Sequence, residues 1–431
     1  MTLANPSDHY KNPLKLLFTQ VDKLCATFAK KRVLPVVLSV LILSACNQQE
    51  APVQTVATAS FSKALPQQEA NNFYGRQAVF SYPDFAGQYD VASHSMVISD
   101  PSRIEPFDLN SIENRKLQVR FYYPTNSQTT TLSNQQQTQE KLPVISKEAW
   151  DYLVGPHERN GKMLRFENYR AAKWNISLDS VVSKALPSYP VLIFSHGYGY
   201  SAESYSALSA ELASKGYIVV SINHTYGANH SDFGDNDIVW AQPLPSDEIG
   251  AYLPIWSDDQ MFIINQLSII NSDTNNRFYN KLDLSNLGIF GHSYGGAAAY
   301  VTASRDPQVR AVIDIDGTIF NYEDHYITQP FAFILSKNHQ PKFDYSNASN
   351  DAYEIRLTSF KHVSFTDHIL WWQWDHDDHA LGLGKVDAHR AIELTTEIVS
   401  DFFAKYLTSQ TSQWFEDERV LTTELELIKK S

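Results

Sequence analysis

The sequence predicts an α/β fold, a mostly parallel sheet with helices on both faces. Three observations carry this. Continuous apolar runs of strand length at 189–199, 216–223, 309–315 and 330–336 alternate with helix-length segments, the pattern of strands buried on both faces. A tight corner, Gly291-His292-Ser293-Tyr294-Gly295, joins the apolar run 287–290 to the small residues Gly296, Ala297, Ala298 and Ala299. Two segments with alternating polarity, 89–98 and 117–123, precede all of these and predict antiparallel opening strands.

Taken in order, residues 1–45 read as a secretory signal. Lys30, Lys31 and Arg32 precede an apolar run at 33–43, and Leu43-Ser44-Ala45-Cys46 follows. The run is too short to span a bilayer and has the flanks of a cleaved signal. The Leu-Ser-Ala-Cys ending resembles a bacterial lipobox, which implies that Cys46 becomes the lipidated first residue of the mature chain. The long polar stretch before Lys30 departs from that pattern and leaves an uncleaved anchor as the alternative. Residues 46–73 are rich in Gln, Ala, Thr and Ser without hydrophobic period, and read as a flexible tether.

The folded domain is expected from 74 to 409. Within it, 127–140 is a polar low-complexity insertion. Residues 143–181, with Trp150, Tyr152 and Leu153, read as a cap over the site or as a peripheral helix docked on the body. Helices are expected at 200–214, 257–271 and 386–407, and a further strand at 353–359. The stretch 410–431 reads as an acidic, amphipathic helical tail.

Composition bounds the function. The chain has 431 residues, 43% of them hydrophobic and 13% aromatic, enough for a sizeable core. Its net charge is −13, and removing residues 1–45 leaves −17, so nucleic acid is excluded as a partner. A surface so acidic is not drawn to anionic lipid, which leaves membrane attachment to the acyl chains on Cys46. Cys25 and Cys46 are the two cysteines, and with Cys25 removed no disulfide is expected.

The corner at Ser293 carries the chemistry. In a G-x-S-x-G turn between strand and helix, the serine is strained and its hydroxyl stands at the sheet rim. Ser293 is therefore the candidate nucleophile. It needs a histidine to take its proton and a carboxylate to orient that histidine, in the chain order Ser, acid, His. His362 follows the last strand and is the candidate base. Asp316, just past the strand at 309–315, is one candidate acid, and Asp344, one strand later, is the other. Asp314 lies within the strand and reads as structural, as do His196 and His224. The 375–379 run Asp-His-Asp-Asp-His reads as a solvated acidic loop rather than a metal site, and no cofactor is expected. The oxyanion donors are expected to be the backbone N–H groups of Tyr294 and Tyr198. Phe365, Ile369, Leu370, Trp371, Trp372 and Trp374 form either a packed helix or an apolar rim that meets acyl chains.

Four blocks carry a family resemblance: FSHGYG with ELASKGYIVVSINH, GHSYGG, the IDIDG block and KHVSFTD. Over roughly 74–407 the chain resembles the plasma and intracellular type II platelet-activating-factor acetylhydrolases. These are α/β-hydrolases that act on phospholipids with short or oxidised sn-2 acyl groups. The resemblance implies Ser293, Asp316 and His362 as the triad, which selects Asp316 over Asp344, and Tyr198 with Tyr294 as oxyanion donors. It implies a small-molecule ester or phospholipid substrate, and the lipobox a place in a bacterial cell envelope. A general carboxylesterase or polyesterase of the same fold is the alternative, and a non-catalytic surface lipoprotein the remote one.

Overall fold

A computed structural model describes residues 82, 84–108, 112–126, 141–143, 173–245, 249–370 and 383–431. The signal, Cys46, the tether, the insertion at 127–140, Trp150, Tyr152, Leu153, Trp371, Trp372, Trp374 and the 375–379 run lie outside them.

The described chain builds one twelve-stranded sheet. Its opening strands β1 (Asp90–Ile104) and β2 (Asn114–Thr125) pair antiparallel, as the alternation predicts. The short strands β3 (Lys141–Pro143) and β4 (Lys173–Leu178) extend the sheet beyond β1. Residues 173–178 thus belong to the sheet and not to a cap, because Trp174 and Ile176 alternate inward and are buried.

The centre is made by β5 (Tyr189–Ser195), β6 (Ile218–Asn223), β9 (Leu282–His292), β10 (Ala311–Ile315), β11 (Phe331–Ser336) and β12 (Ala352–Leu357). These run parallel in the order β6, β5, β9, β10, β11, β12. Each central run is buried on both faces because helices cover both. On one face lie α1 (Ser206–Ser214) and α4 (Ala388–Thr408). On the other lie α2 (Leu253–Ser272) and α3 (Tyr294–Arg305). The buried residues of α4, among them Ala391, Leu394, Ile398 and Phe402, recur at three and four. Asp387 caps its start by accepting from His389 N and Arg390 N. A two-stranded ribbon, β7 (His230–Asp232) with β8 (Ile238–Trp240), stands apart from the main sheet.

The helical tail expected at 410–431 is corrected by the structure. It forms β13 (Arg419–Leu421) and β14 (Leu425–Lys429), with β14 antiparallel to β12. Leu425 and Leu427 alternate inward, and Phe415 fills the core above α4. Asp401 on α4 accepts from the Gln413 and Trp414 N–H groups, holding the chain as it turns back to the sheet.

Candidate active site

The site stands at the rim where β5, β9, β10 and β12 end. β9 runs into Ser293, whose backbone has φ 56° and ψ −119°. A non-glycine residue with positive φ is strained and persists only where its surroundings dictate it. Here the Ser293 N–H donates to Ile315 O at 2.7 Å, and its carbonyl accepts from the Gly296 and Ala297 N–H groups. The flanking glycines are required by close approach. A Cβ on Gly295 would lie 2.2 Å from Ser195 O, and one on Gly291 2.3 Å from the Gly295 carbonyl carbon.

Because Ile315 is in register with His292, β10 delivers Asp316 beside the elbow. Asp316 also has positive φ, 54°. Its Oδ1 accepts from Ser336 N at 2.6 Å, and its Oδ2 from His362 Nδ1 at 2.7 Å. Burial opposes ionisation of Asp316, but the hydrogen bond and charge of His362, with His339 and the Ser336 N–H, outweigh it and hold the carboxyl below its usual range. The bond to Asp316 uses the Nδ1–H of His362 and leaves Nε2 with its lone pair. The His362 ring packs 4.5 Å from that of His292, the residue before Ser293. Burial, then the proximity of His362, keeps His292 neutral.

Tyr294 opens α3, so its N–H is one of the orphan donors of a helix start. Tyr198 lies in the turn after β5. A Cβ on the preceding Gly197 would sit 3.3 Å from Ser293 Cβ, so this turn lies directly on the elbow. The Tyr198 and Tyr294 rings stand edge to face at 5.7 Å, with Trp256 stacked on Tyr198. Tyr294 donates its hydroxyl to Ile249 O at 2.8 Å and Tyr198 donates to Gln242 O. These bonds tie the aromatic wall to the loop between β8 and α2.

The remaining candidates fall elsewhere. Asp344 is exposed and accepts from Ser346 N in a short turn. Asp314 is buried beneath the elbow, accepts from Gly317 N, and is pushed well above the carboxylate range by burial. Phe365, Ile369 and Leu370 are core residues rather than a rim. Asp367, of the Phe-x-Asp after His362, accepts from Ala207 N at the start of α1. Beneath the rim, Arg115 forks onto Asp259 at 2.6 Å and reaches Glu105, while His224 donates its Nδ1–H to Asp259 at 2.9 Å. Arg115, Asp259 and Tyr205 had no motif to announce them, since Arg115 meets Asp259 across 144 residues and Tyr205 meets His292 across 87.

The sheet order and the strained elbow define an α/β-hydrolase. Solved structures agree on that fold: a ferulic acid esterase from Streptomyces cinnamoneus superposes with a TM-score of 0.65 at 21% identity, covering 82% of this chain and all of that one. The chain belongs to the platelet-activating factor acetylhydrolase, isoform II, family, whose model matches residues 78–233 and 264–425. Among relatives, the platelet-activating factor acetylhydrolase of Cavia porcellus is 26% identical over 69% of this chain and 74% of its own length. A Bos taurus protein of the same name is 27% identical over 52% of this chain and 55% of its own. A probable 1-alkyl-2-acetylglycerophosphocholine esterase of Arthroderma benhamiae is 24% identical over 56% of this chain and 60% of its own.

Proposed function

We propose that the protein is a serine esterase that hydrolyses short or oxidised sn-2 acyl groups of phospholipids through an acyl-enzyme on Ser293. The observation that carries this reading is the 2.7 Å bond from His362 to the buried Asp316, at the rim where the strained Ser293 stands. The named relatives support the substrate class.

In this mechanism His362 Nε2 takes the Ser293 proton as Oγ attacks the ester carbonyl. Asp316 stays ionised, fixes the imidazole tautomer and stabilises the imidazolium. The Tyr294 and Tyr198 N–H groups receive the negative charge on the carbonyl oxygen. Collapse expels the lyso-phospholipid alcohol, which takes its proton from His362. Water activated by the same imidazole then releases the acid and restores Ser293. Tyr198, Tyr294 and Trp256 give the oxyanion side a fixed aromatic wall.

The test is Ser293→Ala, assayed on p-nitrophenyl acetate and on phosphatidylcholines with sn-2 acetyl or palmitoyl chains. Loss of turnover with an unchanged melt supports the nucleophile, whereas a wild-type rate would remove it. Equal rates of the unaltered enzyme on the two lipids would overturn the short-chain preference in favour of a general esterase.

The same reading has Cys46 lipidated and the enzyme held to a bacterial envelope membrane, supported by the Leu43-Ser44-Ala45-Cys46 sequence. Incorporation of an alkyne fatty acid that is lost in Cys46→Ser tests it. Incorporation that survives this change refutes it.

A further inference from the structure

Behind the rim lies a second serine, histidine and carboxylate in series. Ser195 Oγ is 2.8 Å from His224 Nε2, and His224 Nδ1 is 2.9 Å from Asp259 Oδ2. The connectivity is that of a catalytic relay, yet all three side chains are fully buried and cannot meet a substrate. Gln260 donates to Ser195 Oγ at 2.7 Å, so that hydroxyl turns its own hydrogen toward His224. Arg115 holds Asp259 from the other side with two bonds of 2.6 Å. His224 is thus fixed in position and tautomer.

His224 passes that order on through its backbone. Its N–H donates to His196 Nε2 at 3.2 Å, so that nitrogen carries the lone pair. In the neutral ring the proton is then on Nδ1, 2.8 Å from Gly197 O. Burial, then His224, lowers the His196 pKa to about 3, so the ring stays neutral and keeps this polarity at working pH.

Gly197 O belongs to the same planar peptide as the Tyr198 N–H, so fixing the oxygen fixes the direction of the hydrogen. A bond accepted at the carbonyl also polarises the N–H beyond it. On the far side, Gly197 N–H donates to Tyr205 Oη at 3.2 Å, and Tyr205 reaches His292 Nδ1 at 2.8 Å, next to Ser293. We infer that His196 is a positioning residue that aims the Tyr198 N–H at the developing oxyanion, and that the buried Ser195, His224 and Asp259 relay exists to hold it there. The inference rests on the esterase reading above.

Two substitutions separate the nitrogens of His196. His196→Asn keeps an amide N–H near the place of Nδ1, while His196→Gln keeps a polar group only near Nε2. Rates on p-nitrophenyl acetate are taken per site titrated with a fluorophosphonate, so misfolded protein does not count. His196→Gln is expected to lose about 10- to 100-fold in kcat with KM within about twofold, and His196→Asn to stay within about fivefold of the unaltered enzyme. Wild-type kcat in His196→Gln, or equal losses in both variants, would overturn the inference. Ser195→Ala, a small change inside the relay, is expected to lower kcat about three- to tenfold, and it decides the matter if the His196 variants do not fold. An unchanged kcat there removes the relay's role. An active Ser293→Ala would sink the reading of an acyl-enzyme on Ser293, on which this inference rests, whereas an inactive one beside an unaffected His196→Gln sinks only this inference.

Discussion

The Nδ1 of His362 lies 2.7 Å from Oδ2 of Asp316, across 46 residues of chain. Two strand ends, after β10 and after β12, meet to make that contact. Asp316→Asn reverses the hydrogen bond and favours the wrong tautomer of His362, so kcat on p-nitrophenyl acetate should fall by about 10⁴-fold with little change in KM. Asp344→Asn, which alters an exposed turn, should leave kcat unchanged. Steady-state kinetics with a thermal melt of each variant checks both. Equal losses would return Asp344 to contention.

Gly295 and Gly197 face the elbow with different tolerance. A Cβ at Gly295 would overlap backbone at 2.2 Å, and backbone cannot move aside. Gly295→Ala is therefore expected to cost about 3 kcal/mol or more of stability in urea unfolding. At Gly197 the nearest atoms are His292 Nδ1 at 3.1 Å, Tyr205 Oη at 3.2 Å and Ser293 Cβ at 3.3 Å. Gly197→Ala should keep stability within about 1.5 kcal/mol but lower kcat, since the groups that must shift are those of the site.

Arg115 is fully buried between Asp259 and Glu105. Arg115→Met would take the counter-charge from the buried Glu105 and leave Asp259 with Arg103 alone. Burial alone would raise both, and the expected cost is about 3–5 kcal/mol in urea unfolding at pH 7. A loss below 1 kcal/mol would mean that Arg103, which also contacts Asp259, suffices.

Asp367 gives a pH signature. Burial pushes its carboxyl up to about 7, against the N–H bonds it accepts at the start of α1. The folded state therefore holds this proton more tightly than the unfolded chain, where a carboxyl titrates near 3.9. The stabilisation is complete below that value and is lost as pH rises through 7, at about 1.4 kcal/mol per unit. Asp367→Asn removes this loss, so its melting temperature should gain on the unaltered protein between pH 5 and pH 8. A constant difference across that range would show that Asp367 is ionised throughout.

Much of the molecule was legible along the chain. The central strands are continuous Val, Ile, Leu and Phe runs because both their faces are covered, and the elbow's small residues betray close packing between α3 and the sheet. The tail misled: 410–431 reads as an amphipathic helix, yet the period of two at Leu425 and Leu427 wins because β12 offers an unpaired edge. That edge exists only once β9 to β12 are assembled.

Ser293 and His362 stand out from the linear sequence because a glycine-flanked corner and a histidine after the last strand are local features. Periodicity and turn chemistry act over a few residues, so they also set the α/β class, while the order of the strands across the sheet came from the tertiary structure. That Asp316 meets His362, as the resemblance implied, is a contact only the tertiary structure makes, and so are the burial of Phe365 and Leu370 in the core and the alignment of Ser195, His224 and Asp259 behind the turn at Gly197. Those pairings join atoms tens of residues apart, and their energies come from burial and from fixed angles that no stretch of sequence contains.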